Sequence, residues 1–420
     1  MAKTGSLLLA IDTKHKVYEE YLLHYIQVLN SNPIIPKFDI TLIDGFTGGG
    51  IYTNPMNGEI YDGSPLRLYN TVKAAEAKIN LDRQRQNIRE PFKINARFLF
   101  VEKKKCNFNF LKDHLGKIGL TKKLDDRLKL INNSFVNELD SILAYIEAQK
   151  QSKRCIFILD QYGYVDVPFG SIKKIFRRLP NAEIILTFAT DWLISYLSDN
   201  EKFINGLKKT GLHEILDVPE LVELKKDSKE WRKLIQIELH KAIFSLSGAK
   251  HYTPFFIISR ESNRSFWLVH LSNHPKARDV MTQLHWNLKN HFTHYGGAGL
   301  GMLGYDPTND SKLTKTEDLF CNTEYSFDAE AHEQTINRLS IDIPKYLYNF
   351  SEDGLKFNDF YRQVSNHTPA TTDIIKEVII NLQGCKEVVI NEQNGRPKRR
   401  VANTIKNDDI IQIPRQFKLF

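Results

Sequence analysis

The sequence predicts a doubly wound α/β domain on a mostly parallel sheet, followed by a small helix-turn-helix module with a wing. Three observations carry this. Short runs of apolar, often β-branched residues alternate with helical segments as far as about residue 190, the pattern of parallel strands covered by helices on both faces. Residues 254–260 and 266–272 are two further runs joined by a short polar turn, hence an antiparallel hairpin. Beyond residue 352 the pattern changes to two short helices and a pair of turn-linked strands.

The first helix is expected from an Asp12-Thr13 cap, with Val17, Tyr21, Leu22, Tyr25, Ile26 and Leu29 at helical spacing and Pro33 beyond its end. Residues 38–43 then form a strand that runs straight into Asp44-Gly-Phe-Thr-Gly-Gly-Gly50. A loop with Asn54-Pro55 and Asn57-Gly58 leads to Gly63-Ser64-Pro65, an N-cap at Ser64 with proline at the first helical position. The basic helix that follows reaches about Ile88, and residues 95–102 are the second strand. Residues 128–131 form the third strand and Asn132-Asn133-Ser134 the entry to a helix over 135–149. The fourth strand, 155–160, ends in Asp160, and the fifth spans 183–188 after a helix over 169–178. Five parallel strands closed by a hairpin is the order of a Rossmann-like methyltransferase sheet. Residues 295–304 are glycine-rich but follow a helix rather than a strand, so they read as a mobile loop and not a dinucleotide fingerprint. Residues 356–366 and 371–383 are helices, and Asn394-Gly395 joins strands at 387–391 and 399–404, giving a winged helix-turn-helix.

The expected organisation is therefore a methyltransferase-like domain over 1–305, with a basic helical insertion at about 53–97 and a second helical insertion at about 193–246. A helical linker over 306–351 and a winged-helix domain over 352–420 follow. Composition agrees with a folded, basic chain: 420 residues, 58 Lys+Arg against 50 Asp+Glu, and 41% hydrophobic residues. The four cysteines are widely spaced and never form CxxC, which argues against zinc knuckles and secreted disulfide frameworks and makes a cytoplasmic setting the default. The early apolar run, 7–11, is too short for a signal segment, and no run approaches a membrane span.

The charge is uneven. Residues 67–105 hold eleven Lys/Arg against four Asp/Glu, and Arg396, Lys398, Arg399 and Arg400 form a second basic cluster. Both suit a phosphate backbone, so nucleic acid is the expected partner. Asp44, Phe46, Gly48 and Gly50 directly follow a strand, where glycines let backbone amides approach a ligand closely. Glu102 closes the neighbouring strand, where a carboxylate can accept from both ribose hydroxyls. Together they form a nucleotide-like pocket, to which Asn132 and Asn133 can add hydrogen bonds to an adenine edge or, alternatively, cap the next helix. Asp160-Gln-Tyr-Gly163 stands where amine methyltransferases carry an acid, prolines and an aromatic. Asp160 would accept the amine hydrogens and Tyr162 would stack on the base; alternatively Asp160 caps a helix or orders the loop. His291 and His294 have a spacing that could hold a metal, but no third ligand is evident. P-loop, GxSxG and HExxH motifs are missing, which sets aside Walker-type NTPases, serine hydrolases and zincins.

These residues resemble the three-Cys-motif partner protein family, TcmP. The resemblance rests on residues 16–25, Asp44-Gly-Phe-Thr-Gly-Gly-Gly50, Gly63-Ser-Pro65, Phe100-Val-Glu102, Phe157-Ile-Leu-Asp-Gln-Tyr-Gly163 and Trp267-Leu-Val-His-Leu271. It covers about residues 12–305. It implies a bacterial methyltransferase-fold protein working beside a three-Cys-motif partner, with S-adenosylmethionine as cofactor. Where the family carries Asp-Pro-aromatic-Gly, this chain has Gln161. Three functions follow as expectations: methyl transfer to a nucleic-acid exocyclic amine; an inactive methyltransferase fold acting as a binding or regulatory subunit; and a metal-dependent nuclease using Asp44, Glu102 and Asp160.

Overall fold

The structure is a computed structural model, and it describes residues 3–30, 32, 35–53, 58–149, 153–227, 231–258, 265–293, 298–302, 324–350, 353–392 and 401–414. The chain forms two compact units, Met1–Val280 and Met281–Phe420.

The first unit opens with α1 (Lys3–Leu29), β1 (Lys37–Asp44), the short strands β2 (Ile51–Thr53) and β3 (Ile60–Asp62), and α2 (Ser64–Arg85). It continues through β4 (Lys93–Val101), α3 (Lys105–Lys117), α4 (Leu120–Leu124), β5 (Leu128–Ile131), α5 (Phe135–Glu147), β6 (Cys155–Leu159), α6 (Phe169–Arg178) and β7 (Ala182–Phe188). The second helical insertion is α7 (Thr190–Ser195), α8 (Glu201–Thr210), α9 (Val218–Asp227) and α10 (Trp231–Ser247), followed by β8 (His251–Ile258) and β9 (Ser265–Ser272). Seven strands make one sheet in the order β5-β4-β1-β6-β7-β9-β8. The first five are parallel, whereas β9 runs antiparallel to both β7 and β8. This is the sheet of a Rossmann-like methyltransferase fold.

Every residue of β6 and β7 is buried, as is β1 beyond Lys37. Strands buried on both sides need helices on both sheet faces, which explains the unbroken apolar run of β6, while the polar residues Asp39, Thr41, Glu183 and Thr187 of β1 and β7 are buried with their strands. Register brings the strand ends together: Asp44 of β1 lies opposite Phe100 of β4 and Ile158 of β6. Adjacent strands lie about 4.8 Å apart, so the residues just past β4, β1 and β6 share one rim.

The structure departs from the sequence reading in the first unit at three places. Helix α1 begins at Lys3, well before the expected Asp12-Thr13 cap, because the apolar run 7–11 continues the helix. The segment expected as a loop holds the β2–β3 hairpin, in which Tyr52 pairs with Tyr61. The N-cap of α2 is Gly63, not Ser64, whose hydroxyl is engaged elsewhere.

Helix α11 (Pro275–Leu288) leads into the second unit, which contains β10 (His291–Thr293) paired with β11 (Glu324–Ser326), α12 (Ala329–Phe350), β12 (Leu355–Lys356), α13 (Phe357–Val364), α14 (Thr372–Gly384), β13 (Val389–Asn391) and β14 (Ile410–Gln412). Leu339, Ile343 and Leu347 of α12 share one apolar core with Phe357, Phe360, Ile375, Val378, Ile379 and Ile411. Thr371 caps α14 by accepting from the Ile374 amide at 3.3 Å. Helix, strand, two helices and a strand pair make the winged helix-turn-helix. The second wing strand is corrected among the described residues: β13 pairs with β14, and 401–404 form no strand. Ile411 and Ile413 bury at 410–413, while Val401 stays exposed and Ala402–Thr404 form a 3-10 turn. The Asn394-Gly395 turn lies outside the described residues.

Candidate active site

The rim formed by the ends of β4, β1 and β6 gathers three carboxylates around a glycine turn. At its centre Asp44 is fully buried. One of its oxygens accepts from the Phe46 amide at 3.0 Å and the other from the Ser64 hydroxyl. Burial pushes its carboxyl up to about 7, and the charges of Asp160 and Glu102 act in the same direction against the two hydrogen bonds. The turn after Asp44 needs glycine twice. Gly48 and Gly50 have φ of +61° and +78°, and a Cβ on Gly50 would stand 2.4 Å from Leu111 Cδ1.

Glu102 follows β4 directly and closes the turn from the neighbouring strand. Its Oε2 accepts from the Gly48 amide at 2.8 Å and its Oε1 from the Lys104 amide at 2.7 Å. Thr47 secures the same two strands through its hydroxyl, which donates to the Val101 carbonyl at 3.1 Å. Asn132, just past β5, donates to the Glu102 and Lys103 carbonyls at 2.8 and 3.3 Å, so it braces the backbone that carries the acid. Asn133 is engaged at the start of α5, donating to Glu138 at 2.7 Å and accepting from the Ser134 amide at 2.8 Å. Ser134 itself is the cap.

Asp160 follows β6. Sequence reasoning missed its strongest partner, Lys14 of α1, whose ammonium donates to both carboxylate oxygens at 2.7 and 2.8 Å. Burial raises the Asp160 carboxyl, but the Lys14 charge and hydrogen bond, the Thr187 hydroxyl and His15 outweigh it, and the net shift is downward. The side chain of Asp160 keeps 26% of its surface exposed, so the pair sits at the mouth of the rim rather than sealed beneath it. Tyr18 and Tyr52 are two further groups that the sequence reading did not single out. Tyr18 approaches Thr187 at 3.4 Å between hydroxyl oxygens. The Tyr52 phenol is pushed up to about 12 by burial first and then by Asp44, Asp160 and Glu102. The spacing of Lys14, Tyr18, Tyr21 and Tyr25 along α1 is the one available signal, and it is the same signal that marks a packing face.

Gln161 is buried, and its Oε1 accepts from the Asp166 and Val167 amides at 3.0 and 3.1 Å. The residue in place of the expected proline therefore ties down the loop that follows. Tyr162 is 83% exposed and meets Trp192 edge-on, with ring centroids 5.8 Å apart.

Arg396, Lys398, Arg399, Arg400 and His294 lie outside the described residues, and of His291 only its backbone place in β10 is described. Among the described residues no group of three or more His, Cys, Asp or Glu is placed to hold a metal ion, and Asp44, Glu102 and Asp160 are not such a group. Among the described residues no helix is long and apolar enough to cross a membrane.

Residues 304–395 match the family model of a GMT-like wHTH domain. The match spans much of the second unit, including α12, which the sequence reading placed in a linker. None of the curated proteins compared matches the chain. Among solved structures, the chain is similar to protein LPL1258 from Legionella pneumophila at 11% identity and a TM-score of 0.33, over 64% of this chain and 90% of that one. It is similar to the O-methyltransferase TomG from Streptomyces achromogenes, in complex with SAM, at 10% identity and a TM-score of 0.28, over 61% and 79%. It is also similar to the N-terminal domain of human METTL16 at 11% identity and a TM-score of 0.26, over 60% and 69%. Likenesses this distant add nothing to the topology already described.

Proposed function

We propose that the first unit is an S-adenosylmethionine-dependent methyltransferase that acts on an exocyclic amine of a nucleic-acid base. The observation that carries this reading is the closed turn: Gly48 of one strand bonded to Glu102 of the next, beside an ionised Asp160 on the third. The residues fit the cofactor. Glu102 offers carboxylate lone pairs beyond the two amide contacts for ribose hydroxyls, and the turn is bare of side chains at Gly48 and Gly50. When bound, the cofactor supplies an electrophilic methyl group on a sulfonium.

The protein's own work is orientation and electrostatics. A neutral amine needs little proton transfer before attack once its lone pair is aimed, so placement supplies most of the rate. With Lys14 on both oxygens and the Thr187 hydroxyl on one, Asp160 retains one lone pair that can accept an amine N–H. Because Asp160 is held below the ordinary carboxylate range, it stays charged at neutral pH. It then stabilises the positive charge that grows on the amine, and the displaced proton passes to solvent. Tyr162 would stack on the target base. The basic cluster Arg396, Lys398, Arg399 and Arg400 and the winged helix would hold the backbone, and the resemblance to TcmP adds a three-Cys-motif protein as partner.

Asp160→Ala tests this reading. Methyl transfer to oligonucleotides should vanish while calorimetric binding of the cofactor persists; unchanged product formation refutes the role. A second reading, a methyltransferase fold acting as a nucleic-acid-binding or regulatory subunit, is favoured by one observation. Lys14 occupies both oxygens of Asp160, and Gln161 replaces the proline expected beside it. Cofactor binding without turnover, for the wild type and for Lys14→Met alike, would select it.

A further inference from the structure

We infer that Trp192 and Tyr196 continue the Tyr162 surface into a stacking platform for unpaired bases beside the target, so that the substrate is single-stranded nucleic acid. This rests on the proposed reading for the place of the target base, but the platform is a separate feature of the surface. The three rings form a continuous row, with centroids 5.8 Å apart between Tyr162 and Trp192 and 6.0 Å between Trp192 and Tyr196. Tyr162 is 83% exposed and Tyr196 67% exposed, an unusual outlay of aromatic surface at the mouth of a polar rim. Neighbouring rings are inclined at 75° and 56° rather than stacked on each other. No two neighbouring rings therefore stack face to face.

The row is held in place. Lys225 donates to the Ile194, Ser195 and Leu197 carbonyls at 3.4, 3.1 and 3.2 Å, fixing the end of α7, which carries Trp192. The Ala189 amide donates to the Gly163 carbonyl at 3.3 Å, tying the loop of Tyr162 to the start of α7. Sheet order then sets the path. From β4 through β1 and β6 to β7, the same rim carries the exposed lysines 103–105, the glycine turn, Asp160 with Tyr162, and the other two rings. Cations along one stretch and aromatics along the next are what a single strand needs for its phosphates and bases. A duplex hides its base faces and would leave the rings unused.

The test is fluorescence anisotropy of a labelled 12-nucleotide strand, alone or annealed to its complement, with wild type, Tyr196→Ala and Tyr196→Phe. Tyr196 is exposed enough that truncation should leave the fold intact, which the circular dichroism of each variant verifies. The single strand should bind wild type more tightly than the duplex does. Tyr196→Ala should weaken it by about fivefold to a hundredfold, with the duplex unaffected and Tyr196→Phe close to wild type. Equal single-strand affinity for Tyr196→Ala and wild type overturns the platform. So does a wild-type preference for duplex, or no binding of either oligonucleotide while an associated protein is lost on Tyr196→Ala. Cofactor calorimetry on the same preparations separates the two ideas: heat with the cofactor but no effect at Tyr196 sinks the platform alone. No heat, with the Tyr196 effect present, sinks the methyltransferase reading alone.

Discussion

One face of α1 reads two acids at opposite edges of the same sheet, and the two meetings differ in kind. Lys14 meets Asp160 at the carboxyl edge, where the acid remains partly exposed. Two turns on, the Tyr21 hydroxyl donates to Glu183, which also contacts His270 Nε2 at 3.1 Å, with both partners of that contact almost wholly buried. The Tyr21 and His270 rings lie 4.7 Å apart. Burial, then the Glu183 charge and hydrogen bond, raise the Tyr21 phenol well above its ordinary value. The inner cluster is closed by packing and serves the fold. The outer pair keeps a lone pair and surface for another molecule. On the proposed reading, polarity at one edge serves the fold and at the other the chemistry, although both hang from one helical stripe.

Mutations at the two edges should therefore fail differently. The largest effect is expected for Asp160→Asn: a loss of methyl transfer of about a thousandfold, with a melting temperature within a few degrees of wild type. Asp44 comes next, through pH. Its folded-state pKa of about 7 lies above the unfolded value, so its protonated form contributes stability that is full below pH 4 and lost as pH rises through about 7. The shift corresponds to at most about 4 kcal/mol. Urea titrations from pH 4 to 8 should show that decline, and Asp44→Asn should flatten it. Asp160 has the opposite sign: its depressed pKa gives stability present above the unfolded value and lost as pH falls through the folded one.

At the inner edge, Glu183→Ala strands the Tyr21 hydroxyl and His270 Nε2. It should cost about 3 kcal/mol by urea denaturation while leaving turnover per folded molecule unchanged. A comparable loss of turnover would erase the distinction between the edges. The smallest effect is expected at the turn. Gly50→Ala puts a Cβ against Leu111 at positive φ and should cost about 2 kcal/mol, accompanied by weaker cofactor binding.

Much of this was legible in the sequence because burial writes itself into composition. Strand β6 is apolar throughout, β7 is apolar but for Glu183 and Thr187, β1 buries Phe38, Ile40, Leu42 and Ile43, and residues 128–131 form a strand with the expected bounds. The turn at Asp44–Gly50 and the acid at Glu102 could be placed for the same reason: each terminates such a run. What could not be read depends on contacts remote in sequence. Lys14 reaches Asp160 across 146 residues, and Lys225 pins α7 from about 30 residues away. A lysine on a helix face looks solvated until the sheet is assembled beneath it. The wing was misread because an Asn-Gly turn is a strong local signal, whereas the choice between residues 399–404 and β14 is made by burial of Ile411 in the shared core. The β2–β3 pair was missed because three residues per strand leave too little alternation to detect.

The central claim is that the turn after β1 and Glu102 of β4 form one adenosyl pocket. Titration calorimetry of S-adenosylmethionine into the full chain tests it most directly, alongside Glu102→Ala. Saturable one-to-one binding to the wild type, weakened at least about tenfold by the substitution, is the expected result. No heat at millimolar cofactor, or binding indifferent to Glu102, would contradict it.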